Sequence, residues 1–318
     1  MRHQLLSFIG VFQLLFCATA QKYRMRESEE NLKGNTRSLT VQEFTLDKKF
    51  GNIEKGEFMA NFEYLFDDNG KTVTSITNDG DINFKLENKY DKSGLLEEEV
   101  RLGSDGSLRT KRIFSYDQSS KLTEFKEYNG SGDFRFKVVN TYDSKGNLIE
   151  ENYFGRDGQS ENENPYDKPN GYAARVTYIY DKAGNLIEEN SYKKDGKTAG
   201  KLIYKYDEKG KLLERQGYPS GSFKATDKFD SNGNIIETAL FDNKGVFRKK
   251  TIYSFDNNGN IANESSYGED GKLLLKTSYK YEYDEKGNWV KKYEIPDIEY
   301  WSKDGKHGYL TERNIEYY

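Results

Sequence analysis

Cysteine is nearly absent from this chain: the one example, Cys17, lies inside an N-terminal apolar run. Once that run is removed, no disulfide, thiol nucleophile or cysteine-held zinc can form. Histidine occurs twice, and only His307 stands outside the N-terminal segment. A cluster of imidazoles around zinc is thereby excluded, and no Gly-x-Ser-x-Gly elbow offers a serine nucleophile. Proline is scarce, with four examples. An excess of one charge is lacking too: 49 Lys and Arg mix with 53 Asp and Glu. A nucleic-acid footprint needs a concentrated basic surface, so no nucleic-acid partner is expected. After the first run, no apolar stretch is long enough for a transmembrane helix in the mature chain.

What is present begins at the N-terminus. Arg2 and His3 precede an apolar run from Leu5 to Cys17, followed by Ala18-Thr19-Ala20. This is the layout of a secretory signal peptide, residues 1–20, cleaved after Ala20. A lipid anchor at Cys17 is the lesser alternative, because Phe16 stands where a lipoprotein signal has a small residue. The expected location is periplasmic or secreted.

The rest of the chain is repetitive. An aromatic-Asp-x-x-Gly motif begins at Phe66, Tyr90, Tyr116, Tyr142, Tyr180, Tyr206, Phe229, Phe255 and Tyr283. Its acids are Asp67, Asp91, Asp117, Asp143, Asp181, Asp207, Asp230, Asp256 and Asp284. Its glycines are Gly70, Gly94, Gly146, Gly184, Gly210, Gly233, Gly259 and Gly287, with Ser120 breaking the column. Asp at the first and Gly at the fourth position suit a type I turn closed by a bulge. A second turn recurs half a repeat later, as at Asp105-Gly106, Asp195-Gly196 and Asp270-Gly271. Each repeat is therefore two strands and two turns. The interval from Tyr142 to Tyr180 is longer than the others, which places a loop around Ser160–Tyr172.

An apolar residue follows eight of the nine motif aromatics by six positions, from Leu96 to Trp289, and the hairpin sets the two opposite each other. Further aromatics stand two before it, such as Tyr178 and Tyr204, and twelve after it, such as Tyr192 and Tyr267. Glu stands eight after it at Glu98, Glu124, Glu150, Glu188, Glu214 and Glu237. Strict alternation puts these even offsets on one face, with the Glu in a charge ladder to Lys two strands away. The fold class is all-β: a long antiparallel β-meander of repeated hairpins forming a curled or spiralling sheet, aromatic face inward. Twisted open sheets rarely exceed about ten strands without curling, and nine repeats need about eighteen. Residues 60–318 form the repeat domain, residues 21–59 cap one edge, and the tail from Ile295 caps the other.

The run Tyr180-Asp-Lys-Ala-Gly184-Asn-Leu-Ile-Glu188, followed by Asp195-Gly196, resembles the YD repeat of exported bacterial RHS proteins. The resemblance covers Phe66 to Trp301. It implies a rolled β shell, which in large members encloses a toxic C-terminal domain. Here only a short tail follows Tyr283, so the shell without a toxin domain is expected. A lesser similarity, at Tyr192 to Lys201, is to MORN-type hairpin repeats.

The repeated acids are explained by turn geometry, so no catalytic residue, cofactor site or metal site is assigned and no enzyme is expected. The loops at Asp67–Gly70 and Asp256–Asn260 are oxygen-rich, but their glycine is misplaced for an EF-hand. The function read from the sequence is an exported, non-catalytic scaffold that binds a protein or cell-surface glycan through its aromatic columns. A small RHS-shell relative in toxin or antitoxin biology is the second reading, and a glycosidase-type enzyme the third.

Overall fold

The computed structural model describes residues 32–49, 52–79, 82–155, 174–219, 223–297 and 306–318. The expected signal peptide and the long loop around Ser160–Tyr172 fall outside them. Twenty strands follow one another in a single antiparallel sheet. They are β1 (Thr36–Lys49), β2 (Asn52–Phe66), β3 (Thr72–Asp79), β4 (Ile82–Tyr90), β5 (Leu96–Gly103), β6 (Leu108–Tyr116) and β7 (Leu122–Asn129). Next come β8 (Phe134–Tyr142), β9 (Leu148–Gly155), β10 (Arg175–Tyr180), β11 (Leu186–Tyr192), β12 (Thr198–Tyr206), β13 (Leu212–Pro219) and β14 (Phe223–Phe229). The last six are β15 (Ile235–Asp242), β16 (Phe247–Phe255), β17 (Ile261–Tyr267), β18 (Leu273–Tyr283), β19 (Trp289–Pro296) and β20 (Lys306–Tyr317).

The nine motif hairpins account for β2 to β19. The strands outside them, β1 and β20, pair with each other from Thr36↔Tyr317 to Asp47↔Lys306. The sheet therefore closes on itself as a barrel rather than remaining an open spiral. Closure satisfies the backbone groups that an open edge leaves exposed to pairing with other chains. Strand β2 runs without a break through residues 59 and 60.

Every motif turn joins an even strand to the following odd one, so all nine lie at one end of the barrel. The chain returns at the opposite end. Five-residue loops serve there as well: Gly103, Asn129, Lys193, Asp242 and Gly268 each donate N–H to a carbonyl four residues on, as the motif Asp residues do.

The motif-turn glycines have φ between 76° and 90°, a region closed to most side chains. Ser120 adopts the same conformation at φ 62°, as the one non-glycine residue with positive φ among the described residues. Each motif hairpin carries a bulge. In the β8–β9 pair, Thr141 faces Glu150 and Tyr142 faces Leu148, so Ile149 is left between them.

The bulge sorts side chains between faces. In a closed sheet the concave side crowds its side chains together and the convex side spreads them into solvent. The crowded face carries Leu39, Val41, Phe62, Phe114, Phe125, Val138, Leu202 and Ala225, all nearly inaccessible, and it lines the interior. Its apolar residues form separate patches along the wall, and strand packing is overwhelmingly between neighbours in the sheet.

Closure predicts a crosslink. With Cys17 replaced by alanine, cysteines at the paired positions Thr40 and Asn314 should be joined by oxidation or a short bismaleimide within one chain. An open spiral gives no link, or one between chains, by mass and gel mobility.

Candidate functional site

The motif acids are fastened into the turns that they build. Asp143 Oδ1 accepts the N–H groups of Lys145 and Asn147 at 2.9 and 2.8 Å. The same pair of bonds recurs at Asp67, Asp91, Asp117, Asp207, Asp230, Asp256 and Asp284. Asp181 accepts from Asn185. Hydrogen bonds from Asn147 and Asn185 hold the carboxyls of Asp143 and Asp181 below the usual carboxylate range. These groups are engaged as anions at the barrel rim.

The motif aromatics face inward opposite the residue six positions later, as in Tyr90↔Leu96, Tyr142↔Leu148 and Tyr206↔Leu212. Their hydroxyls make a second connection. Tyr90, Tyr116, Tyr142, Tyr180 and Tyr206 donate to the carbonyls of Thr72, Leu96, Leu122, Leu148 and Leu186, at 2.8–2.9 Å. Each acceptor belongs to the preceding repeat. The backbone ladder between repeats stops short of this point: on β11 and β12 its last pair toward the turns is Glu188↔Ile203. The hydroxyl closes the seam beyond it. Tyr281 plays this part for Ile261, while Tyr283 bonds to Asp256. Phe229 and Phe255 have no hydroxyl to offer.

The bulge turns two adjacent glutamates to opposite faces. Strict alternation predicts that the residues six and eight after the aromatic share a face. The structure instead places the sixth and ninth inward and the eighth outward. Glu150 thus points out to Arg175, at 3.7 Å, while Glu151 points in and is 1% exposed.

The ninth-position residue pairs directly with the residue two before the motif aromatic of its hairpin. The pairs include Asn88↔Glu99, Phe114↔Phe125, Asn140↔Glu151, Tyr178↔Glu189, Tyr204↔Arg215, Asp227↔Thr238 and Tyr253↔Glu264. They form a belt around the interior wall, rich in buried acids. The acids of the belt are the residues that sequence reasoning missed. The usable signal was the Glu-Glu doublet after three of the turns, at Glu98-Glu99, Glu150-Glu151 and Glu188-Glu189, read together with a bulge.

The belt is neutralised unevenly. Arg112 spans Glu99 at 3.1 Å and Glu127 at 2.8 Å, and Arg135 reaches Glu127 at 2.6 Å. Arg215 holds Asp227 at 2.6 Å. Glu151 and Glu189 receive tyrosine hydroxyls instead, from Tyr178 at 2.7 Å and Tyr204 at 3.3 Å. Burial pushes Glu151 up to about 6 and Glu189 up to about 8, with repulsion from Glu151 adding to the latter.

The outward face is self-paired. Lys111, Lys137, Lys201, Lys205 and Lys228 bind Glu98, Glu124, Glu188, Glu214 and Glu237 at 2.6–3.1 Å. Each partner lies on the adjacent strand rather than two strands away, because facing side chains on neighbouring strands are already within reach. The aromatics twelve after the motif also face outward, not inward, and cations cover them. Arg175 lies 4.6 Å from the Tyr192 ring, Lys137 5.5 Å from Phe154 and Lys250 5.7 Å from Tyr267. A lipid-facing barrel carries an apolar band on this side, whereas this one carries a charge ladder.

The raised acids make a pH prediction. A carboxyl whose folded pKa lies above its unfolded value stabilises most below the unfolded value, near 4.5 for Glu189, and loses that contribution as pH rises through about 8. Glu189→Gln stays neutral throughout. In metal-free buffer its stability relative to the native chain should rise between these limits, by at most about 1.4 kcal/mol per pH unit. Chemical denaturation at pH 5 and pH 8.5 measures this, and an equal difference at both would contradict it.

Comparison with curated proteins returns no match. Among solved structures, the Tc holotoxin pore of Photorhabdus luminescens is 13% identical with TM-score 0.36, over 77% of this chain and 14% of that one. This chain thus spans about a seventh of that protein's length. A porin-like protein from Bacteroides uniformis is 12% identical with TM-score 0.35, over 90% of this chain and 99% of that one. The teneurin YD-shell family model matches residues 21–218, more than half of the chain. With its hairpin shell and motif turns, the chain belongs to the teneurin YD-shell family.

Proposed function

We propose that the protein is an exported, non-catalytic scaffold whose interior wall receives a macromolecular ligand, either a protein segment or a cell-surface glycan. The observation that carries this reading is the contrast between the two faces. Outside, acids meet lysines and aromatic rings lie under cations, so the charged and aromatic groups of that face are engaged with one another. Inside, a row of half-buried tyrosines stands above a belt of acids. Tyrosine rings with one wet edge are suited to stacking on sugars or packing against a peptide. Membership in a shell family supports the enclosing role, and the sequence layout at residues 1–20 supports export.

Matched substitutions on the two faces test the reading. Ser75 faces inward, opposite Tyr64 and Leu86, whereas Ser115 faces outward, opposite Glu124. A partner captured from the native envelope, or a glycan retained on an array, should bind Ser75→Trp roughly tenfold more weakly, a loss of about 1.4 kcal/mol. Ser115→Trp should bind as the native chain does. Equal binding by both variants, or hydrolysis of the bound glycan, would contradict the proposal.

A further inference from the structure

The uneven neutralisation of the acid belt has a precise counterpart in the register. Glu99 and Glu151 stand at the same place in their repeats, nine residues after Tyr90 and Tyr142. Across the seam from Glu99 stands Arg112. Across the seam from Glu151 stands Val176, and across from Glu189 stands Leu202. One sector of the wall therefore carries its own cation between buried acids, and the next sector has an aliphatic side chain there.

Three buried oxygens in this second sector have no hydrogen-bond partner: Asn140 Oδ1, Glu151 Oε1 and Glu189 Oε1. Their residues are 8%, 1% and 5% exposed. Asn140 is directly opposite Glu151, and Tyr178, which donates to Glu151 Oε2, is directly opposite Glu189. A buried carboxylate oxygen without a partner is costly, and a matching cation is one remedy.

We propose that Asn140, Glu151 and Glu189 form a binding site for a bare, hard cation of the calcium class, which takes the place of the arginine built into the neighbouring sector. The donors are all oxygen: two carboxylates, an amide carbonyl and the adjacent tyrosine hydroxyls. Hard cations prefer such a set, and the two acids match a divalent charge. The unpartnered oxygens are closed to solvent, which disfavours the water shell that magnesium retains. Among the described residues no three Asp, Glu or His side chains converge as a metal centre, so the amide and phenol oxygens complete the set. The site is independent of the macromolecular ligand proposed above.

The test uses the whole protein stripped with a chelator and then titrated with calcium chloride. Calcium at ten times its Kd should raise the folding equilibrium constant roughly tenfold, and terbium should show luminescence sensitised by Tyr178 and Tyr204. The paired change Glu151→Gln with Glu189→Gln should fold and lose both responses. Val176→Arg, which restores the internal cation, should be indifferent to calcium. If that variant does not fold, the paired glutamine change decides alone. A native chain equally stable in calcium and chelator would overturn the proposal. So would an equal response to magnesium, or a calcium response that survives the paired change.

Discussion

The structure depends on how one repeat is joined to the next. Within a motif hairpin the strands are held by a tight turn and six or more facing pairs. Between repeats the ladder is shorter, and at β9–β10 it has three facing pairs. Beyond the last pair, a tyrosine hydroxyl reaches back to a carbonyl of the preceding repeat. That bond satisfies a backbone acceptor and sets the spacing of neighbouring turns. It explains why tyrosine dominates a position where phenylalanine would pack equally well.

The second organising feature is the bulge beside each turn. It shifts the inward positions from the even residues to the sixth and ninth after the aromatic. One adjacent glutamate then joins an exposed ladder of ion pairs, each worth little by itself. The other enters the wall, where burial makes its charge costly. A surface with few unmet groups outside and an acid belt with unmet oxygens inside follow from the same one-residue irregularity. This asymmetry is why the interior, rather than the exterior, is the proposed site of recognition.

Much of the fold was legible in the chain. Asp and Gly at fixed spacing specify the turns, and the aromatic with its partner six residues on specifies the hairpin register. The joint between β1 and β20 was not legible, because neither strand carries the motif and their pairing spans almost the whole chain. The inward glutamates were hidden by the bulge: Glu150 and Glu151 look alike in sequence, and only the unpaired Ile149 between the two registers separates them. The outward turn of Tyr192 and Tyr267 was hidden for the same reason.

The repeat therefore acts as a wall-building unit, and the residues that vary within it determine what the wall presents. The central claim is that the inter-repeat tyrosine bond closes the seams. It is tested most directly by hydrogen exchange on Tyr206→Phe, which removes the hydroxyl that donates to Leu186 and keeps the ring. The account predicts exchange about two- to tenfold faster in β11 and β12 near the turns, equivalent to the usual 0.5–1.5 kcal/mol of a hydrogen bond, with β15 and β16 unchanged. Unaltered exchange along β11 and β12 would contradict it.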